Sequence, residues 1–394
     1  MRFKRISGAA MAAALLAASA ACVSEGTEST SSDDSLVGTG TGADCEIDET
    51  VKVGAVLSLT EAAAFAGGYQ QEGIQLAFEE LNAAGGITYE LIVEDDKTSV
   101  EDSVIAFEKV INRDKVSVIV GPTLSNMAFT TFPDAESAGV PALGISTTAE
   151  GIPDLGDYIF RNSLPEEVAL AASIPAAKET LGIEKVAVLY DSADEFTASA
   201  YNTITDVLTD EGIEVVVEES FETTDTDFAA QLTKVKERDD VDAVILSALP
   251  GATVPLVTQA RSLDITAPII GGNAFNSPVL VGLLADAAEG LIVGGAWSAA
   301  SDTTGNAEFI TNYTEKYDRA PDQFAAQAYT AAYMIDQAIR ADCDANREAI
   351  KDNLGQILEY DSILGTISLD ESGEVSQEPV VQIVENGQFK LLEG

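Results

Sequence analysis

From residue 51 onward, short apolar runs alternate with longer stretches in which apolar side chains recur every three or four positions, the signature of strand followed by amphipathic helix. The pattern predicts strand 51–59 with helix 68–84, strand 89–94 with helix 100–112, then strand 117–120, helix 126–138 and strand 141–145. After a short strand at 158–162 the series restarts with helix 165–181, strand 185–190, helix 196–210, strand 214–219 and helix 228–238. It continues with strand 243–247, helix 253–263 and strands 268–271 and 290–294. Residues 313–341 are helical again, and 357–392 reads as short antiparallel strands. Such regular alternation predicts an α/β chain with two doubly wound, largely parallel, Rossmann-like lobes. The first lobe takes 45–162 and about 297–356, and the second takes 163–296 and about 357–394.

Two predicted strand ends stand out. Ser125 falls at the N-cap position of helix 126–138, and Ser146, Thr147 and Thr148 follow strand 141–145. In open parallel sheets ligands sit beyond the carboxyl ends of strands, where helix N-termini offer free N–H groups and a positive dipole. Adjacent strand ends carrying four hydroxyls therefore form a candidate cradle for a small carboxylate. The alternative reading is that Ser125 only caps its helix and the Ser-Thr-Thr run only makes a turn.

Charge narrows the function classes. Against 21 Lys+Arg stand 66 Asp+Glu, a net charge of −45, so nucleic acid is excluded as a partner. The chain has no histidine, which removes Ser-His-Asp and Cys-His nucleophile pairs together with the commonest metal ligand. No strand is followed by GxGxxG and there is no GxxxxGK[ST], so no nucleotide cofactor is expected. Glu94-Asp95-Asp96 reads as a solvated strand end and is assigned no metal. A non-catalytic binding protein is the expectation.

The N-terminus carries Arg2, Lys4 and Arg5 ahead of an apolar run at 9–18, too short to cross a bilayer and suited to a signal sequence. Ser19-Ala20-Ala21-Cys22 resembles a bacterial lipobox with Ser19 in place of the usual leucine. Residues 1–22 thus read as a lipoprotein signal peptide with Cys22 lipidated; a cleaved signal with soluble secretion is the alternative. Residues 23–44, rich in Ser, Thr, Gly and acids, read as a flexible tether. Cys45 and Cys343 remain, either as one bridge or as two unpaired thiols.

Over roughly 52–392 the order of segments resembles the leucine/isoleucine/valine-binding family of ABC-transporter substrate-binding proteins. The carrying segments are VGAVLSLTEAAAFAGG, QLAFEELNAAGGI, VIVGPTLSN, GVPALGISTT, DYIFRNSLP, VAVLYDSADEFTASAY, GGNAFNS, EGLIVGGAW and DQFAAQAY. The resemblance implies a type 1 periplasmic-binding clamshell with hinge strands, an amino acid or similar small carboxylate in the cleft, and an ABC permease as partner. A ligand-sensing receptor of the same fold, binding amides or organic acids, is the alternative. It also implies that Ser125 bonds the ligand carboxylate, that Ser146, Thr147 and Thr148 form the adjoining carboxylate and amine loop, and that Phe65, Phe196 and Phe324 line the pocket. Asn273 stands where close relatives carry the acid that pairs with the ligand ammonium. Either Asp191 or Asp194 substitutes, or the ligand needs no amine, the option the sequence reading favours; the alternative is that Asn273 is only a turn residue.

Overall fold

The computed structural model describes residues 34–392, and the chain from Ser35 onward belongs to one unit. The first half runs β1 (Val51–Leu57), α1 (Ala64–Ala84), β2 (Tyr89–Asp95), α2 (Val100–Glu108), β3 (Val118–Val120), α3 (Ser125–Ser137), β4 (Ala142–Gly144) and β5 (Ile159–Arg161). These five strands pair in parallel in the order β2-β1-β3-β4-β5. The chain then makes α4 (Glu166–Leu181), β6 (Lys185–Asp191), α5 (Glu195–Glu211), β7 (Glu214–Phe221) and α6 (Ala229–Lys236). It goes on through β8 (Ala243–Ser247), α7 (Pro250–Ser262), β9 (Ile269–Gly271), α8 (Pro278–Leu284) and β10 (Leu291–Gly295). Strand order β7-β6-β8-β9-β10 repeats that of the first sheet.

The return path is α9 (Asn306–Tyr317), α10 (Gln323–Asp342), α11 (Arg347–Leu354), β11 (Tyr360–Ser362), β12 (Gly365–Leu369) and β13 (Val375–Ser376). It ends with β14 (Val380–Glu385), which joins the second sheet antiparallel to β10, and β15 (Gln388–Leu391), which pairs antiparallel with β14. Here the sequence reading needs correction. Ile357, Ile363, Leu364, Ile367, Leu369 and Val375 pack in the same core as Val53, Phe324 and Ile335, so the segment through β13 lies with the first lobe. Only β14 and β15 join the second sheet, while β11, β12 and β13 form a separate three-stranded sheet whose inward residues belong to the first-lobe core.

Both sheets are covered on both faces. Along β1, Val53, Ala55 and Leu57 face one core while Val56 faces the other. Along β6, Ala187 and Leu189 alternate in the same way with Val186 and Val188. This period of two is what the pleat dictates, and burying each Val or Leu is worth about 1.5–3 kcal/mol. Helix α1 starts at Ala64, four residues before the predicted 68, because Gly67 continues the helix instead of interrupting it. A Cβ at Gly67 would stand 2.0 Å from the Ser58 carbonyl, and one at Gly73 would stand 2.2 Å from that of Ala325. Glycine therefore lets α1 press on both the first loop and α10.

The end of the expected tether is also structured. The Ala345 N–H donates to the Leu36 carbonyl at 3.0 Å, the Gly38 N–H to that of Cys343 at 2.8 Å, and Thr39 pairs with Glu46. Cys45 and Cys343, with Cα atoms 5.4 Å apart, are joined in a disulfide that closes a loop 298 residues long. Residues 36–44 are thus held against the end of α10, which corrects the flexible reading for that part. Signal residues 1–22, Cys22 and the tether up to 33 lie outside the described residues.

Candidate ligand-binding site

A cavity lies where the carboxyl ends of the two sheets face each other. From the first lobe it is reached by Phe65 and Ala66 beyond β1, Thr123 to Ser125 beyond β3, and Ser146 and Thr148 beyond β4. From the second it is reached by Asp194 and Phe196 beyond β6, Leu249 beyond β8, and Asn273 and Ala274 beyond β9. These are the same three positions of the repeated strand order in each lobe. Gln323, Phe324 and Gln327 complete the wall from the first turns of α10. The lobes touch across the cleft: α3 approaches α5, and the Glu150 N–H donates to Ser199 Oγ at 3.1 Å.

Ser125 is the first residue of α3 and makes no cap bond; Leu124 holds the cap position. Its Oγ instead accepts from the Ala149 N–H at 3.3 Å, which ties the β3 end to the β4 loop and leaves the hydroxyl proton for an acceptor in the cavity. The Thr148 hydroxyl, 4% exposed, faces the same cavity and makes no hydrogen bond within the protein. Ser146 is committed: its Oγ accepts from Gln70 Nε2 at 2.6 Å and donates to the Thr123 carbonyl at 2.5 Å. Thr123 donates in turn to Gln70 Oε1 at 2.7 Å and accepts from the Ser58 N–H at 3.0 Å.

Thr147 does not line the cavity. Its side chain turns back beneath β4, where Oγ1 would stand 2.1 Å from a Cβ at Gly144, because consecutive residues of this extended loop point to opposite sides. Its carbonyl instead accepts from Arg161 Nη1 at 3.1 Å, and that of Ala149 accepts from the same nitrogen at 2.7 Å. Arg161, fully buried and paired with Glu374, holds the 147–149 loop from behind. Sequence reasoning gave Arg161 no role; a lone arginine ending a strand carries no signal until the loop is seen around it.

The acidic strand end is not solvated, as the sequence had suggested. Asp96 is buried, accepting from Ser58 Oγ at 2.6 Å and from the Thr98 N–H at 2.9 Å, and burial raises its carboxyl above the usual carboxylate range. Asp95 accepts from the Leu59 and Thr60 N–H groups and the Thr60 hydroxyl. Together they fix the first loop. Among the described residues no cluster of three or more potential metal ligands is found.

On the second-lobe wall, Asn273 lines the cavity but is not free to meet an ammonium. Its Nδ2 donates to the Leu164 carbonyl at 3.0 Å and to Glu166 at 2.8 Å, and its Oδ1 accepts from Gln323 Nε2 at 3.3 Å. It belongs to a buried chain of polar groups joining the lobes at the seam. In that chain Gln323 Oε1 accepts from Asn276 Nδ2 at 3.0 Å and the Ala296 N–H at 2.7 Å. Burial pushes the Glu166 carboxyl up to about 7 despite its bonds from Asn273. Asp191 lies outside the wall. Asp194 is on it and is the one charged side chain among the described residues there. Its Oδ1 caps α5 through the Phe196 and Thr197 N–H groups at 3.1 and 3.2 Å, and its Oδ2 makes no bond within the protein. Burial, helped by the charge of Asp191, raises its carboxyl above the usual range.

The apolar part of the wall is aromatic. Phe65 and Phe324 meet edge to face at 5.8 Å, and Phe196, 8% exposed, adds a ring from the other lobe.

Two lobes of one strand order, closing a cavity between their strand ends, define a solute-binding clamshell. The family described as periplasmic binding protein matches residues 50–388, and the chain belongs to it. It is similar to the leucine-, isoleucine-, valine-, threonine- and alanine-binding protein of Pseudomonas aeruginosa, 24% identical over 83% of this chain and 87% of that one. Among solved structures it resembles a leucine-binding protein from Thermotoga maritima, with 26% identity, TM-score 0.81 and 86% and 97% of the two chains covered. It also resembles the branched-chain amino acid transporter substrate-binding protein of Streptococcus pneumoniae in complex with isoleucine, with 28% identity, TM-score 0.82 and coverage of 87% and 98%. The fold is the type 1 periplasmic-binding fold, and the family places the chain outside the cytoplasm. No helix among the described residues is long and apolar enough to cross a membrane.

Proposed function

We propose that the chain captures a branched-chain or related small α-amino acid by closing its lobes and delivers it to an ABC permease, anchored to the membrane by a lipid on Cys22. The observation that carries this reading is the pairing of opposite recognition chemistries across one small cavity. The Ser125 hydroxyl stands at the N-terminus of α3 and Thr148 lines the cavity from the loop after β4, and Asp194 lines the same space from the other lobe. A zwitterion satisfies both. Its carboxylate accepts from the hydroxyls and the free N–H groups of the helix end, with Arg161 behind them, and its ammonium neutralises a buried aspartate that is costly to leave unpaired. Asp194, one of the two acids the sequence offered in place of Asn273, thus takes the ammonium, and the ligand's amine becomes a requirement rather than the dispensable group the sequence reading favoured.

A thermal-shift screen over amino acids, keto acids, amides and aromatic acids tests the function. An amino acid at about 100 times its Kd adds about 2.7 kcal/mol of stability. Shifts from simple carboxylates alone, with none from any amino acid, would overturn the reading. For the anchor, Cys22→Ser is expected to move the protein out of the membrane fraction, and unchanged retention there would remove a lipid on Cys22.

A further inference from the structure

One group on the cavity wall has no counterpart in the recognition of a carboxylate and an ammonium. Gln327, on the same face of α10 as Phe324, is 1% exposed, and neither its Oε1 nor its Nε2 has a hydrogen-bond partner in the protein. The other buried glutamines nearby are fully engaged: Gln70 by Ser146 and Thr123, Gln323 by Asn273, Asn276 and Ala296. The helix turn that carries Gln327 is held in place, since its backbone carbonyl accepts from Asn162 Nδ2 at 2.8 Å. Among the described residues it is the cavity-lining side chain whose buried donor and acceptor are both unpaired.

An amide buried this way penalises any occupant that offers only hydrocarbon. A ligand group with one acceptor and one donor in a plane matches it reciprocally, and a carboxamide is that group. Resting on the α-amino acid part of the reading above and replacing its branched-chain side chain with a polar one, we propose that Gln327 selects an α-amino acid whose side chain ends in a carboxamide. The amide end of the ligand lies against Gln327 among the aromatic rings, while its carboxylate and ammonium keep Ser125, Thr148 and Asp194. A site built to hydrogen-bond its ligand discriminates strongly against an isostere lacking those groups, whereas an apolar pocket discriminates weakly.

Asparagine and leucine are nearly isosteric, so calorimetry with both isolates the effect. Wild-type protein is expected to bind asparagine at least about ten-fold tighter than leucine, and Gln327→Leu is expected to reverse the order. Gln327→Met, which keeps the length of the side chain, carries the same expectation should the leucine variant fail to fold. Leucine bound as tightly as asparagine by the wild type, or a ratio unchanged in the variants, would overturn the proposal and leave the amino acid reading standing. Binding of neither leucine, asparagine nor glutamine would overturn both.

Discussion

In the first lobe Thr123, Ser146 and Gln323 are tied to neighbours before a ligand enters while the Ser125 and Thr148 hydroxyls and the Gln327 amide stay available, whereas the second lobe offers a single carboxylate with one oxygen uncommitted. Ser58, Gln70, Thr123 and Ser146 form a closed chain on the first-lobe side, Arg161 clamps the 147–149 loop, and the Cys45–Cys343 bridge fastens the start of the lobe to its long helix. On the second-lobe side Asp194 spends one oxygen on the cap of α5 and keeps the other, beside Phe196 and Leu249. The strand order is shared, so the difference lies in the loop after each strand. On the proposed reading the first lobe is the template for the ligand's carboxylate and the second supplies the contact that favours closure, because a ligand shifts the open–closed equilibrium only through interactions it makes better in the closed state.

The largest expected effect falls on the first lobe. Replacing Cys45 and Cys343 by alanine releases a loop of 298 residues and should lower stability by about 2–5 kcal/mol in chemical denaturation. An unchanged midpoint would show that the first lobe does not depend on its staple.

At the seam between the lobes the sign is set by a proton. Glu166 titrates near 7 in the folded protein, above its unfolded value, so the fold holds a proton that the unfolded chain releases. Its stabilising contribution is therefore complete below the unfolded pKa and is lost as pH rises towards and through about 7. Glu166→Gln keeps an oxygen acceptor for Asn273 and removes the titration, so the variant should gain on the wild type by up to about 3 kcal/mol between pH 4 and 8. Parallel stability profiles would exclude a role for this carboxyl.

Ser125→Ala tests the template itself. Losing a hydrogen bond to a charged group should weaken binding by about 1.5–3 kcal/mol and leave the fold intact, since Ser125 does not cap its helix. An unchanged Kd would confine Ser125 to its bond with Ala149.

Much of this was legible in the sequence and some of it was not. Strand–helix alternation placed nearly all the central strands, because fully buried β-branched runs such as Val118–Val120 have few alternatives. Helix α8, PVLVGLL, escaped because it is short and shows no amphipathic period, and α11 is only two turns long. Of the site residues, Phe65, Ser125, Ser146, Thr148, Phe196, Asn273 and Phe324 do reach one cavity, since strand ends and helix starts are where the pattern is most informative. What pattern does not convey is commitment. That Thr147 points away and that Asp194 and Gln327 keep free atoms are facts about packing, as is the engagement of Ser146 by Gln70, 76 residues away, and of Asn273 by Gln323, 50 residues away.

An ammonium meeting Asp194 is the central claim, and calorimetry with leucine and 4-methylpentanoate on the wild type and on Asp194→Asn measures that directly. Removing one partner of a buried charge pair costs about 2–5 kcal/mol, so the wild type should favour leucine over its deaminated analogue by roughly 100-fold or more. In Asp194→Asn, whose amide still caps α5, the two should bind within about ten-fold of each other. A wild type that binds both acids alike, or a preference for leucine that survives in Asp194→Asn, would contradict the account.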